Sequence, residues 1–353
     1  MRRQSDACLH LLPVTDEWPN RRVMRILLTG ILILVMAAGA KCQVIPTADS
    51  LGRMLRIYED NDFMNVRGQG TDESYTNGTR IDYFYQKRRP SRSPDKWLLP
   101  RTGPDAINTY HWSLMQVMIT PEDLFTTEYL PDDYSYAGAL FLAHGLDSYD
   151  PVRKFSLQSE LVMGVMGPWA FAKETQTWMH SLIGYDRPKG WDNQLPNAPL
   201  LNYHFTFEKM LWQPSAGLEL IGGATAYAGT MLDGAALHAT LRAGWMTPYF
   251  GMRRGSAWRE KKFQVYAFLR PAVEYTLYNA LLEGGLFSWR NSRFEFNKSL
   301  KTAHLRPWNL RVDYGITVAY HRWRLAYTQK TQSPSLKGTR HHEVGNVSLY
   351  IPL

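Results

Sequence analysis

From residue 52 to the C-terminus, apolar and polar side chains alternate one for one in segments of about ten residues. A period of two puts the two sets on opposite faces of an extended chain. In 80–86, Arg80, Asp82, Phe84 and Gln86 alternate with Ile81, Tyr83 and Tyr85. Leu201, Tyr203, Phe205, Phe207 and Leu211 form one face broken only by Lys209, with Asn202, His204, Thr206 and Glu208 opposite. Leu310, Val312, Tyr314, Ile316, Val318 and Tyr320 oppose Arg311, Asp313, Gly315 and Thr317; Val347, Leu349 and Ile351 oppose Asn346, Ser348 and Tyr350. Such strands suit a wall with hydrocarbon on one side and a polar lumen on the other.

The pattern predicts twelve strands, near 52–62, 75–87, 107–119, 135–145, 152–164, 200–213, 215–227, 234–247, 261–277, 304–320, 322–332 and 341–352. The fold class is therefore all-β, a closed antiparallel transmembrane barrel. An even number closes the sheet without a free edge and brings both termini to the periplasmic side. The loops at 63–74, 120–134, 165–199, 228–233 and 278–303 then face the exterior. Short turns such as Leu146–Pro151 and His321–Arg322 face the periplasm, and the long, basic 88–106 connection reads as a solvated periplasmic loop. A soluble sandwich would hide its apolar faces and fits less well. With 20 Tyr and 12 Trp, the chain carries the aromatic residues that interfacial girdles need, while its mean hydropathy of −0.35 reflects no membrane helix.

Residues 1–40 read as an N-terminal extension and export signal, and 41–353 as the barrel domain. Arg21, Arg22 and Arg25 precede the apolar run 26–40, and Ala38-Gly39-Ala40 fits a cleavage site before Lys41. Met24 is an alternative start. Lys41 is wrong for a lipobox, and Cys42 would be alone in the mature chain, so no disulfide or Cys-based metal site can form from it. Residues 1–40 hold five Arg against three acidic residues, so part of the net charge of +8 leaves with them. The basic surplus that remains suits an anionic lipid, and an exported chain has little use for nucleic acid.

One stretch, 164–191, departs from alternation. It predicts a short amphipathic helix after the fifth strand, with Gln176 and His180 four residues apart on one face. The threading brings three further polar elements to the same rim: Asn61 and Asp62 after the first strand, Tyr75 and Thr76 at the start of the second, and Asp132, Asp133 and Tyr134 before the fourth. Each has a structural reading too. Asn and Asp are turn formers, Asn77-Gly78 is a turn signal, and Trp178, Met179 and Leu182 read as helix-packing residues. No G-x-S-x-G elbow supports a serine nucleophile, so water activated by a histidine is the better chemistry.

NDF at 61–63, GTDESYTNGTRIDY at 70–83, PDDYSYAG at 131–138 and GPWAFAKETQTWMHSLIGYDRPKGWDNQL at 167–195 together resemble the outer-membrane lipid A deacylases called LpxR. The specific part is G-P…E-x-Q-x-x-x-H-x-x-x-G…P-x-G-W-x-x-Q-L. The resemblance implies a twelve-stranded barrel in a Gram-negative outer membrane. It also implies calcium-dependent hydrolysis of the 3′-linked acyloxyacyl ester of lipid A, within lipopolysaccharide. Carried over by position, it places Asn61, Asp62, Thr76, Gln176 and His180 in the site, Asp62 at the calcium, and Asp186 in support. His180 is then the base for water, while Gln176, Asn61 and Thr76 position substrate or oxyanion. A basic cluster used in the family after the third strand has no counterpart in TPEDLFTTEYL (120–130). The expected protein is a monomeric hydrolase. Its rivals are an outer-membrane phospholipase or acyltransferase barrel and a non-catalytic porin or structural barrel.

Overall fold

The alternation is realised as twelve antiparallel strands among the described residues of a computed structural model. Those residues are 52–66, 74–87, 95–104, 106–130, 132–251, 261–286, 288 and 305–353. The expected signal peptide, the boundary after residue 40 and Cys42 lie outside them. The first four strands are β1 (Met54–Asn61), β2 (Ser74–Tyr85), β3 (Ile107–Thr120) and β4 (Ala137–Asp150). Next come β5 (Phe155–Met166), β6 (Ala198–Ser215), β7 (Leu218–Gly229) and β8 (Leu232–Trp245). The last four are β9 (Phe263–Asn279), β10 (Trp308–Tyr320), β11 (Trp323–Gln332) and β12 (His342–Pro352). Each pairs with its sequence neighbours, and β1 closes on β12 from Met54↔Pro352 to Asn61↔Gly345.

The faces follow the alternation. Ile57, Ile81, Leu114, Leu142, Leu201, Phe207, Leu310 and Ile316 are exposed on the outer wall. The inward face is packed with paired charge. The fully buried Asp82 carboxylate accepts from Arg56 Nε and Arg80 Nε, each at 2.6 Å, and from Ser113 Oγ at 2.5 Å. Arg80 reaches Glu160 at 2.6 Å, Glu160 meets His111 at 3.0 Å, and Glu208 meets His238 at 3.2 Å. Lys330 donates to Asp60 at 2.8 Å. Buried charges persist only when paired in this way.

Three expectations change. Strand β4 runs on to Asp150 because it stays paired with β3 as far as Tyr149 and with β5 as far as Phe155, so the periplasmic turn is 151–154 and does not begin at Leu146. Asn77-Gly78 is no turn: both residues lie inside β2, just past a register shift between Tyr75 and Asn77. The shift turns the Tyr75 ring across Gly78, where a Cβ would meet the Tyr75 hydroxyl. The described part of the 88–106 connection is not freely solvated. Helix α1 (Asp95–Leu98) and the residues after it pack on the outer wall: Leu99 is buried with Tyr110 and Leu146, and Tyr203 Oη donates to the Leu98 carbonyl at 2.7 Å.

Helix α2 (Ala172–Ile183) lies outside the barrel wall over β3 and β4. Gly138, on the outward face of β4, permits this: a Cβ there would stand 2.5 Å from the Ala172 Cβ. Gln116 Nε2 secures the approach by donating to the Ala170 carbonyl at 2.7 Å. Among the described residues no helix is long and apolar enough to cross a membrane.

A lumen packed with ion pairs predicts negligible single-channel conductance in planar bilayers; steps of porin size would refute the packing. Asp82→Ala leaves Arg56 without its carboxylate and Arg80 with Glu160 alone, and is expected to cost about 3–5 kcal/mol. Heat-modified gel mobility should show the folded band lost at a lower temperature.

Candidate active site

The outward faces of β1–β3 turn polar near the end that carries the long loops. Glu59 and Asn61 on β1, Asn77 and Thr79 on β2, and Gln116 on β3 replace the apolar residues found lower on the same faces. Helix α2 and the β3–β4 loop roof this patch and enclose a cavity of about 700 Å³. Ile81, Leu114 and Leu140 floor it, and Phe63, Trp178, Met179 and Ile183 add apolar walls. It is thus a cleft on the lipid side of the barrel wall, not a chamber in the lumen.

Five residues singled out in the sequence converge on this cavity: Asn61, Asp62, Thr76, Gln176 and His180. Asn61 ends β1 and caps a one-turn 3-10 helix, Asp62–Met64, through its Oδ1, which accepts from Phe63 N–H at 2.9 Å. The Asp62 Oδ1 accepts from the same N–H at 2.8 Å, and the side chain is only 3% exposed. Thr76 sits in the register shift of β2 and shares a 2.5 Å hydrogen bond with the Thr120 hydroxyl.

The helix delivers the other two. Ala172, Gln176 and His180 are its buried residues, spaced by four along one stripe. Trp191, fully buried and against the Tyr136 ring at 4.8 Å, donates Nε1–H to Gln176 Oε1 at 2.7 Å. An indole N–H only donates, so this bond fixes the amide with its oxygen outward from the cavity. Gln176 Nε2 has no hydrogen-bond partner among the described residues, although Gln176 is 3% exposed. His180 Nδ1 lies 2.7 Å from the Asp186 carbonyl oxygen. A carbonyl only accepts, so Nδ1 carries the proton and Nε2 is the nitrogen suited to take one.

Other expectations are corrected. Asp186 orients His180 through its main chain, and its side chain is exposed and does not line the cavity. Tyr75 points into the lumen, where its hydroxyl donates to Asp60 at 3.1 Å. Asp133 serves the loop, accepting from Glu122 N–H at 2.7 Å and Tyr134 N–H at 2.6 Å, while Tyr134 is a core residue. Trp178 and Leu182 are not packing residues: they are 62% and 67% exposed. Lys173 on α2 bridges Asp192 at 2.8 Å, holding that exposed carboxyl below its usual range. Sequence reading passed over Glu59, which lines the cavity and accepts from Asn77 Nδ2 and Thr79 Oγ1. Its signal was available, since Glu59 shares the face of Ile57 and Asn61. Trp191 is the W of the P-x-G-W string, which marks the residue but not its role.

For a cation, the site offers hard oxygen. Asp62 brings a buried carboxylate beside the Asn61 amide oxygen, and no group of three His, Cys, Asp or Glu gathers among the described residues. A buried carboxylate beside an amide oxygen is the hard-oxygen donor type that calcium takes, and Asp62 would be its carboxylate ligand.

The sequence profile of a family described as Outer membrane protein LpxR matches residues 27–353. The solved structure of LpxR from Salmonella typhimurium superimposes with a TM-score of 0.67 at 15% identity, covering 84% of this chain and 99% of that one. The beta domain of a Bordetella autotransporter aligns at a TM-score of 0.39 with 10% identity, over 86% of this chain and 98% of its own. An outer membrane channel from Pseudomonas putida F1 aligns at 0.40 with 8% identity, over 88% and 100%. Comparison with curated proteins gives no match.

Trp191→Phe keeps the ring and removes the bond that orients Gln176. Turnover should fall by up to about 100-fold. Adding Gln176→Ala should cost little more, because both changes disable one group. Asp186→Ala keeps the carbonyl and should stay within about twofold of the parent; a large loss would return a role to the carboxylate.

Proposed function

The chain belongs to the LpxR family of outer-membrane proteins, and on that premise we propose that it is a lipid A deacylase acting at the 3′-linked acyloxyacyl ester. One observation carries the reading: the polar groups of β1, β2 and α2 meet on the lipid-facing side of the barrel, near its long-loop end. Lipid A lies in the outer leaflet with its esters close to the interface. A cleft opening sideways at that height receives the ester without lifting the lipid out of the bilayer. The exposed Trp178 and Leu182 and the lining residues Phe63 and Ile183 make the mouth compatible with acyl chains.

His180 Nε2 takes a proton from a water molecule as its oxygen attacks the ester carbonyl carbon. The Asp186 carbonyl holds the ring through Nδ1–H and favours the imidazolium that forms. Gln176 Nε2 donates toward the carbonyl oxygen as it becomes negative; its orphaned, prealigned state means no hydrogen bond must break first. Collapse of the tetrahedral adduct breaks the bond to the sugar oxygen, and His180 returns its proton to that oxygen. The products are a free acyloxyacyl acid and a sugar hydroxyl. Asn61 and Thr76 shape the wall against which the ester is set. Calcium held by Asp62 would polarise the carbonyl and offset the negative charge.

Expression in a host that makes lipid A, followed by mass spectrometry of extracted lipid A, tests the reading. The expected result is loss of the 3′ acyloxyacyl group, abolished by calcium chelation. His180→Gln should insert normally and lose about 100- to 10,000-fold in rate. Unchanged lipid A, with fatty acid released from phospholipid, would favour the phospholipase reading.

A further inference from the structure

The β3–β4 loop roofs the cavity, and its charge is one-sided. Residues 120–134, TPEDLFTTEYLPDDY, contain five acidic residues and no Lys or Arg. Glu122, Leu124 and Phe125 of this loop line the cavity. The loop is pinned through its main chain, which fixes where its side chains start. Glu122 N–H donates to Asp133, Lys189 N–H donates to the Leu124 carbonyl at 2.8 Å, and Asn193 Nδ2 donates to the Thr127 carbonyl at 2.6 Å.

The rest of the lining has the same character. Glu59 and Asp62 are its other charged residues, and none of the described lining residues is Lys or Arg. Lys173, on the roofing helix, is engaged by Asp192. The remaining polar groups are amides, hydroxyls and the His180 imidazole, among them the buried, unpartnered Gln176 Nε2. This inventory suits a neutral sugar. A sugar hydroxyl donates to a carboxylate, whereas a phosphate monoester brings close to two negative charges and three acceptor oxygens. Calcium at Asp62 would offset part of that charge, but beneath Glu122 a phosphate would still meet like charge and find few donors.

Resting on the deacylase reading, we propose that the site selects lipid A whose distal glucosamine bears a free 4′-hydroxyl, and that Glu122 discriminates against the 4′-phosphate. The ester at the 3′ position lies one carbon from that group, so a sugar placed for attack brings its 4′ substituent to the cavity rim. A phosphomonoester hydrolysis must then precede this deacylation. The discrimination acts on binding of the head group, in ground and transition states alike, and belongs in KM.

The test uses the purified full chain in mixed micelles with two substrates: lipid A carrying the 4′-phosphate, and the same lipid after its removal. The expected result is a preference on the order of tenfold in kcat/KM for the dephosphorylated lipid, mainly through KM. Glu122→Lys should narrow or invert the ratio by improving the phosphorylated substrate. Equal kcat/KM for the two lipids with the parent enzyme would overturn the proposal while leaving the deacylase reading intact. Cleavage of neither, by a protein that runs as a folded barrel, would overturn both.

Discussion

Inside hydrocarbon no main-chain N–H or C=O can be left to water, and the rest of this structure depends on that constraint. The β1–β12 pairing removes the last open edge. Once the sheet is closed, each side chain has only two directions. The inward set becomes a packed ionic lattice around Asp82, Glu160 and Asp60. The outward set is mainly apolar, and the polar patch near the rim is where the candidate site residues gather. The inward lattice also stiffens the wall behind the site. Asp60, held by Lys330, Tyr58, Tyr75 and Asn346, lies between the outward-facing Glu59 and Asn61.

The site joins two kinds of support. Asn61, Asp62 and Thr76 are carried by the sheet, while Gln176 and His180 stand on a helix joined to it by small residues and a few hydrogen bonds. That helix gains its precision from contacts beyond its own length. Trp191 sets the direction of the Gln176 amide, and the Asp186 carbonyl sets the tautomer of His180. Both belong to the segment that follows α2, so the loop after the helix matters as much to the chemistry as the helix itself.

Much of this was legible before any coordinates. Alternation located all twelve strands because a wall between lipid and a polar lumen enforces strict periodicity on every strand. Spacing by four put Gln176 and His180 on one face for an equally local reason. What escaped was non-local. Asn77-Gly78 has the composition of a turn, yet lies in a strand paired on both sides, and the glycine is there because the Tyr75 ring needs the space of a missing Cβ. Trp178 and Leu182 read as packing residues because an apolar side chain in sequence does not say whether protein or lipid covers it. Asp186 was chosen for its carboxylate and contributes its carbonyl, a group every residue has and no motif can mark.

On the deacylase reading, a cleft that opens through the side of the wall puts the reaction in two dimensions. Substrate arrives by lateral diffusion, and the released acyl chain stays in the leaflet from which it came. What governs the rate is then the mole fraction of substrate among neighbouring lipids, not its amount per volume of water. Diluting the surface with inert amphiphile should slow the enzyme at constant bulk concentration, and the composition of the leaflet itself becomes a control on its activity.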